Sequence, residues 1–127
     1  GYLFIDIGDT TMPFHRWDDM KPRNLVKTTD SEGNLVLGEY ITVTRQIQPP
    51  GKATRPHTHG CEQMIQILEG TGWFRVGDEE KTVGPGEVVH IPMGTLHELN
   101  NAGAARLVYL SFKNRSEDWP PPEAIGP

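Results

Sequence analysis

The chain has 127 residues and a formal net charge of −5, from 17 acidic and 12 basic residues. A chain of this length folds as one domain with a real hydrophobic core, and the lack of a dense lysine and arginine run argues against nucleic acid as a partner. Its single cysteine excludes an internal disulfide. No apolar run approaches the roughly 20 residues that span a bilayer, and there is no signal-peptide pattern. The sequence therefore predicts a soluble, cytoplasmic protein without membrane attachment.

The N-terminal part, residues 1–34, is irregular in composition and is assigned to the same domain as the rest. It contains two short predicted strands, at 3–7 and 24–29, and a predicted turn at DSEGN (30–34), where Gly33 and Asn34 can take positive φ. The Pro-rich segment 114–127 is predicted to be an extended tail, because proline prevents helix formation.

The central part, residues 35–113, reads as a series of short strands. In the first of them, between 35 and 48, apolar and polar residues alternate with the period of a half-buried strand. Later strands are predicted at 63–70, 72–76, 81–84, 87–92, 96–99 and 106–112, with a hairpin at GDEE (77–80). Fourteen glycines and eleven prolines also favour strands and turns over long helices. The predicted fold class is an all-β antiparallel sandwich or barrel with little helix.

The stretch RPHTHGCEQ (55–63) carries the clearest chemical signal. If residues 57–67 are extended, His57, His59 and Gln63 point to one face. Cys61 shares that face, either as a redox-sensitive thiol or, more commonly, as a small buried residue. Glu62 points the other way unless a bulge at Gly60 shifts the register. Two imidazoles followed by a third donor suit one divalent transition metal, namely Mn, Fe, Ni, Zn or Cu.

Two segments are similar to the paired motifs of the cupin superfamily. GKATRPHTHGCEQMIQILEG (51–70) resembles the first motif, in which Gln63 stands where the family usually has glutamate. GEVVHIPMGTLHELNN (86–101) resembles the second motif at every position, and 15 residues separate the two. The matching residues are Gly51, His57, His59 and Gly70 in the first motif, and Gly86, Pro92, Gly94, His97 and Asn101 in the second. The chain thus looks like a small, single-domain microbial cupin.

This resemblance implies a jelly-roll barrel with the metal inside, and it adds His97 to His57, His59 and Gln63 as a metal ligand. His15 and His90 are interpreted as ordinary surface or core residues. Glutamine is a neutral donor, so it either weakens metal binding or leaves a bound ion its full charge; the second interpretation is favoured because three imidazoles hold a metal by themselves. Family members commonly form dimers, and a homodimer is expected here.

Two classes of function follow from such a site. The first is a metal-dependent enzyme acting on a small oxygenated substrate, anionic or enolisable, by lyase or isomerase chemistry or by dioxygenation. The alternative is a non-catalytic cupin that binds or senses a small ligand. No catalytic residue is assigned, but Arg55 could pair with a substrate carboxylate, and Glu62 could act as a general base if a bulge turned it inward. For both residues a solvated surface position is the more common outcome. Of Trp73 and Phe74, one should line the core or pocket and the other an outer surface.

Overall fold

The protein is an antiparallel β structure, seen in a computed structural model that describes residues 12–22 and 32–121. The predicted strands at 3–7 and 24–29 lie outside the described residues, as does the end of the C-terminal tail. In the described part, a single 3-10 turn (Trp17–Asp19) accompanies eight strands. The strands are β1 (Glu32–Leu37), β2 (Ile41–Gln48), β3 (Gln63–Glu69), β4 (Gly72–Val76), β5 (Glu79–Val83), β6 (Val88–Ile91), β7 (His97–Asn100) and β8 (Leu107–Asn114).

These strands form two antiparallel sheets, of order β1-β2-β8-β3-β6 and β5-β4-β7. Apolar side chains from both sheets meet in one core, since Ile65 and Ile67 from the larger sheet pack with Phe74 and Leu99 from the smaller. The predicted all-β, antiparallel jelly-roll class is confirmed. No helix among the described residues is long and apolar enough to cross a bilayer.

The predicted turn at 30–34 is wrong for its described residues, because Glu32, Gly33 and Asn34 belong to β1. Asn34 is 1% exposed and lies opposite Arg45 of β2 in the antiparallel register. A Cβ on Gly33 would lie 2.6 Å from the carbonyl oxygen of Arg45. Glycine is required here by the close approach of two strands, so a composition typical of turns misled the prediction.

The predicted strand at 35–48 is two strands, β1 and β2, separated by a bend at residues 38–40. Strand β2 alternates as predicted, but its polar side chains face inward. Thr42, Thr44, Gln46 and Gln48 are buried, whereas Ile41 is 66% exposed. This reverses the usual arrangement of a half-buried strand, in which the apolar residues face the core. One wall of the barrel interior is therefore polar, as expected for a cavity that holds a ligand rather than a filled core.

The predicted strands from residue 63 onward are confirmed, with small shifts at their ends. β5 begins at Glu79, and β8 continues to Asn114, two residues beyond the predicted end. Phe74 is 3% exposed and Trp73 is half-buried, so the inward and outward assignment of this pair also holds. In the predicted tail, residues 117 and 118 form a turn that carries Trp119 back against the barrel, where it is 4% exposed.

Asn101 holds the loop after β7 through its buried amide. Its Nδ2 donates to the carbonyl oxygens of Gln48 (2.9 Å) and Ala105 (3.0 Å), and its Oδ1 accepts from the Gly103 N–H (3.2 Å). Because Asn101 is fully buried, removing the amide leaves these backbone groups without partners or water.

We expect Asn101→Ala to lower the free energy of unfolding by about 3 kcal/mol, mainly through the loss of these bonds. Urea denaturation measures the effect, and Asn100→Ala, at the half-buried end of β7, is the matched control. A loss for Asn101→Ala no larger than that of the control would show that the three bonds do not stabilise the loop.

Candidate metal centre

Three histidines converge at one end of the barrel. His57 and His59 lie in the segment before β3, and His97 is the first residue of β7. The backbones of His57 and His97 form a bridge in which each N–H donates to the other's carbonyl oxygen at 3.0 Å. One ring nitrogen from each of the three residues lies within 4.8 Å of the others. The group could therefore hold a metal ion.

Each of the three imidazoles is oriented by a backbone carbonyl that accepts from its Nδ1. The carbonyl lies two residues away along the chain in every case. The pairs are His57 with Arg55 (2.6 Å), His59 with Cys61 (3.0 Å) and His97 with Thr95 (2.9 Å). A proton fixed on Nδ1 leaves the Nε2 lone pair free, which is the usual arrangement of metal-binding histidines.

Gln63 places its side-chain oxygen beside these rings. It is 7% exposed, and its Oε1 lies 2.9 Å from Nε2 of His59. Its Nε2 donates to Oγ of Ser111 at 2.8 Å, which keeps the oxygen turned toward the histidines. When the His59 proton is on Nδ1, both Nε2 of His59 and Oε1 of Gln63 are hydrogen-bond acceptors, so neither can donate to the other across this short distance. Two neighbouring ligands of one ion, with bonds of about 2.1 Å at right angles, are roughly 3 Å apart. The donor set thus fits a divalent transition metal.

The surroundings of His59 and His97 favour their neutral forms. Burial, together with the nearby His57, His59 and Lys113 and against the hydrogen bond to the Thr95 carbonyl, lowers the pKa of His97 to about 4. Burial also lowers the pKa of His59, with Lys113 as the next cause. Neutral imidazoles are the form that binds metal, so protons compete weakly for this site.

The low pKa of His97 predicts that the metal-free protein loses stability in mild acid. The unfolded chain takes up this proton near pH 6.5, whereas the folded chain takes it up only near pH 4. The contribution of neutral His97 is therefore present above pH 6.5 and lost as the pH falls toward 4, by up to roughly 3 kcal/mol. Urea unfolding of chelator-treated protein at neutral pH and at about pH 5 measures this slope. His97→Gln should flatten it and His90→Gln should not; equal slopes in all three proteins would contradict the assignment.

His57 and His97 line a cavity of about 60 Å³ that opens partly to solvent. Its lining combines apolar and polar side chains, as in many small-molecule sites. The apolar side chains include Ile65, Phe74, Ile91 and Leu99; the polar ones include Thr44, Gln46 and Ser111. Glu98 is the one carboxylate among the described residues that line it.

The two catalytic possibilities considered from sequence, Arg55 and Glu62, do not line the cavity. Arg55 is exposed, and its contact with the site is made by its backbone carbonyl. Glu62 points outward and its Oε2 lies 2.7 Å from Nε2 of His90, with both side chains about half exposed. Cys61 is fully buried, with Sγ 3.4 Å from Nδ1 of His59. His15 is exposed on the surface.

Lys113 and Trp119 also line the cavity and were not found from sequence. The predicted end of the last strand at residue 112 left Lys113 outside the sheet. A period-two count continued from Ser111 would have placed Lys113 inward. No local signal in the tail indicates that Trp119 returns to the barrel.

The geometry defines a class of protein, namely a small antiparallel β-barrel whose interior carries a three-histidine group suited to a metal ion. Residues 44–113, more than half of the chain, match the cupin domain family (Cupin_2). The chain belongs to the cupin family.

Comparison with individual proteins gives more distant similarities. The chain is 32% identical over 78 residues to the uncharacterized protein MJ1618 of Methanocaldococcus jannaschii, covering 61% of this chain and 62% of that protein. It is 25% identical over 104 residues to auxin-binding protein 1 of Arabidopsis thaliana, covering 68% of this chain and 52% of that protein. The chain thus spans between about half and three fifths of the length of these relatives.

Among solved structures, the polyketide cyclase RemF from Streptomyces resistomycificus superposes with a TM-score of 0.71. The two chains are 23% identical, and the match covers 84% of this chain and 89% of that one. At this identity the likeness supports the fold and not a shared activity.

Proposed function

We propose that the protein is a metal-dependent cupin enzyme acting on a small oxygenated substrate, anionic or enolisable. The reaction would be Lewis-acid lyase or isomerase chemistry, or a dioxygenation. The observation that carries the proposal is the convergence of three imidazoles, each held through Nδ1 by a backbone carbonyl. We assign His57, His59, Gln63 and His97 as the ligands of one divalent transition metal ion.

The protein's own residues would prepare this site for an anionic oxygen. With histidine and glutamine as neutral ligands, a bound divalent ion would supply undiminished Lewis acidity to an oxygen of the substrate. Ser111 holds the Gln63 amide in its orientation. Ile65, Phe74 and Leu99 form an apolar wall that limits water and so strengthens the electrostatic interactions of a bound substrate.

A second candidate function is non-catalytic binding or sensing of a small ligand. Two observations favour it: the apolar half of the cavity, and the similarity to a plant protein named as an auxin-binding protein. A binding protein of this kind would hold its ligand in the same cavity without turnover.

Metal analysis of protein purified without added metal is the first test of the enzyme proposal. We expect close to one divalent transition ion per chain. Substrate panels of small hydroxy, keto and unsaturated acids should then show turnover, with oxygen consumption indicating a dioxygenase and anaerobic turnover indicating a lyase or isomerase. A metal-free protein that binds such acids without converting them would favour the binding function instead.

We also propose that two copies associate through the outer face of the larger sheet, within the cytoplasm. Apolar side chains are exposed there on three adjacent strands: Ile41 (66%), Met64 (42%) and Phe112 (39%). Contiguous exposed apolar surface of this kind is typical of protein interfaces. Light scattering should report a dimer for the parent protein and a monomer for Met64→Lys, while the exposed substitution Thr82→Lys on β5 of the smaller sheet leaves the mass unchanged.

A further inference from the structure

We propose that Lys113 is the anion-binding group of this cavity and pairs with a carboxylate of the substrate. The substrate class is then a small organic acid that carries this carboxylate and, close to it, a second oxygen function that reaches the three histidines. The inference deepens the proposed function and rests on it for the second contact. The lysine contact itself depends only on residues of the described chain.

Lys113 is placed in the cavity by the register of the larger sheet. It shares the inward parity of Tyr109 and Ser111 on β8, and it lies directly opposite Gln63 of β3. Its side chain lines the same cavity as the histidines. A cationic group on this strand is therefore held by two neighbouring strands, which position it more rigidly than a loop would.

The ammonium group of Lys113 has no acidic partner within ion-pairing distance among residues 12–22 and 32–121, nor a hydrogen-bond acceptor there. Its contact is with the ring of Trp119, whose centroid is 4.0 Å from Nζ. The carboxylate of Asp118 instead accepts from the Gly60 N–H (3.0 Å) and the Ser116 hydroxyl (2.6 Å). Lys113 is partly buried, and the resulting desolvation lowers its pKa. A partly buried cation with unused donors is costly, and an anionic ligand would remove that cost.

Trp119 fixes the lysine from the side away from the sheet. Its indole Nε1 donates to Oγ1 of Thr42 at 2.8 Å, and the ring is 4% exposed. An ammonium on an aromatic face keeps donors free on its other side. The lysine thus resembles a point charge aimed into the cavity, a form suited to one carboxylate oxygen rather than to a planar bidentate pair.

The charge balance of the cavity also favours an anionic ligand. The proposed metal ligands are neutral, and Glu98 is the one acidic residue among the described residues of the lining. An acid bound between the lysine and the histidines would place its charges where the field is most favourable.

The test is calorimetric binding of malonate, a small dicarboxylate, to metal-free and to zinc-loaded protein. We expect Lys113→Met to weaken malonate binding by at least about tenfold in both forms, since a charge-assisted hydrogen bond is lost. Lys113→Arg keeps the charge and should stay within about threefold of the parent. Lys52→Met, at an exposed loop lysine, is the matched control and should bind like the parent. Unchanged malonate binding in a folded Lys113→Met protein would overturn the inference.

A second measurement needs no variant. Malonate should protect Lys113, and not Lys52, from acetylation by acetic anhydride, as measured by peptide mass mapping of the parent protein. Equal labelling of Lys113 with and without malonate would overturn the inference. Lysine-dependent malonate binding in a protein that takes up no zinc would support the anion site while removing the proposed metal-dependent function, so the two failures are distinguishable.

Discussion

Replacing His97 by alanine is expected to lower the affinity for a divalent transition ion by at least about 100-fold. The reason is that His97, on β7, supplies the third imidazole of the group, and its backbone pairs with that of His57. Changes to residues that merely orient a ligand already cost about 10- to 100-fold, so loss of a ligand should cost more. Competition with a chromophoric chelator measures the affinity of chelator-treated protein for zinc.

The matched control for this substitution is His90→Ala. His90 lies on β6 of the larger sheet, and its side chain is about half exposed and contacts Glu62 on the outside. We expect it to change zinc affinity less than twofold or so. If His97→Ala retained zinc within about threefold of the parent, the ion would not be bound by the three-histidine group, and the proposed function would fail with it.

Gln63→Glu is expected to raise metal affinity by about tenfold or more and to lower both anion binding and turnover. A carboxylate in place of the amide adds a negative charge directly beside His59, so a bound ion is held more tightly and attracts an anionic substrate less. The replacement keeps the shape of the side chain, and the Ser111 hydroxyl can turn from accepting a hydrogen bond to donating one. Metal content, malonate affinity and turnover are measured on the same preparations.

Gln66→Glu is the control, because Gln66 lies on the same strand but points to the exposed face. It makes the same change in net charge and should leave all three quantities unchanged. One metal ion per chain in the parent protein, together with a lower turnover rate in the Gln63→Glu variant, would support glutamine as a source of Lewis acidity. If the parent binds little metal and Gln63→Glu restores metal binding, glutamine weakens the site. Non-catalytic binding of a small ligand would then be the better supported function.

Much of the fold could be predicted because strands β3 to β8 carry strong local signals. Their apolar residues alternate with polar ones, and glycines mark the intervening turns. Gly70, Gly77, Gly86 and Gly94 all have positive φ, which residues other than glycine rarely adopt. The backbone of these segments follows from short-range sterics that one sequence displays directly.

The errors and omissions occur where contacts between distant segments decide the structure. Gly33 belongs to a strand because Arg45, twelve residues further on, packs against it. The polar residues of β2 face inward because its pairing with β1 and β8 turns that face toward the barrel interior. Sequence alternation reports only that two faces differ, not which one is covered.

The sequence by itself determined the family motifs, the two histidines on one side of a strand, and the choice of Gln63 over Glu62 as the residue that faces them. These properties depend on residue spacing within one segment, because in an extended backbone residues separated by two positions point to the same face. Only the tertiary structure decided that residues 117–121 fold back, that Trp119 packs against Lys113, and that this lysine enters the histidine cavity with no acidic partner from the described residues. That arrangement joins residues 59, 97, 113 and 119 through strand pairing and burial, which are long-range effects that no local pattern encodes.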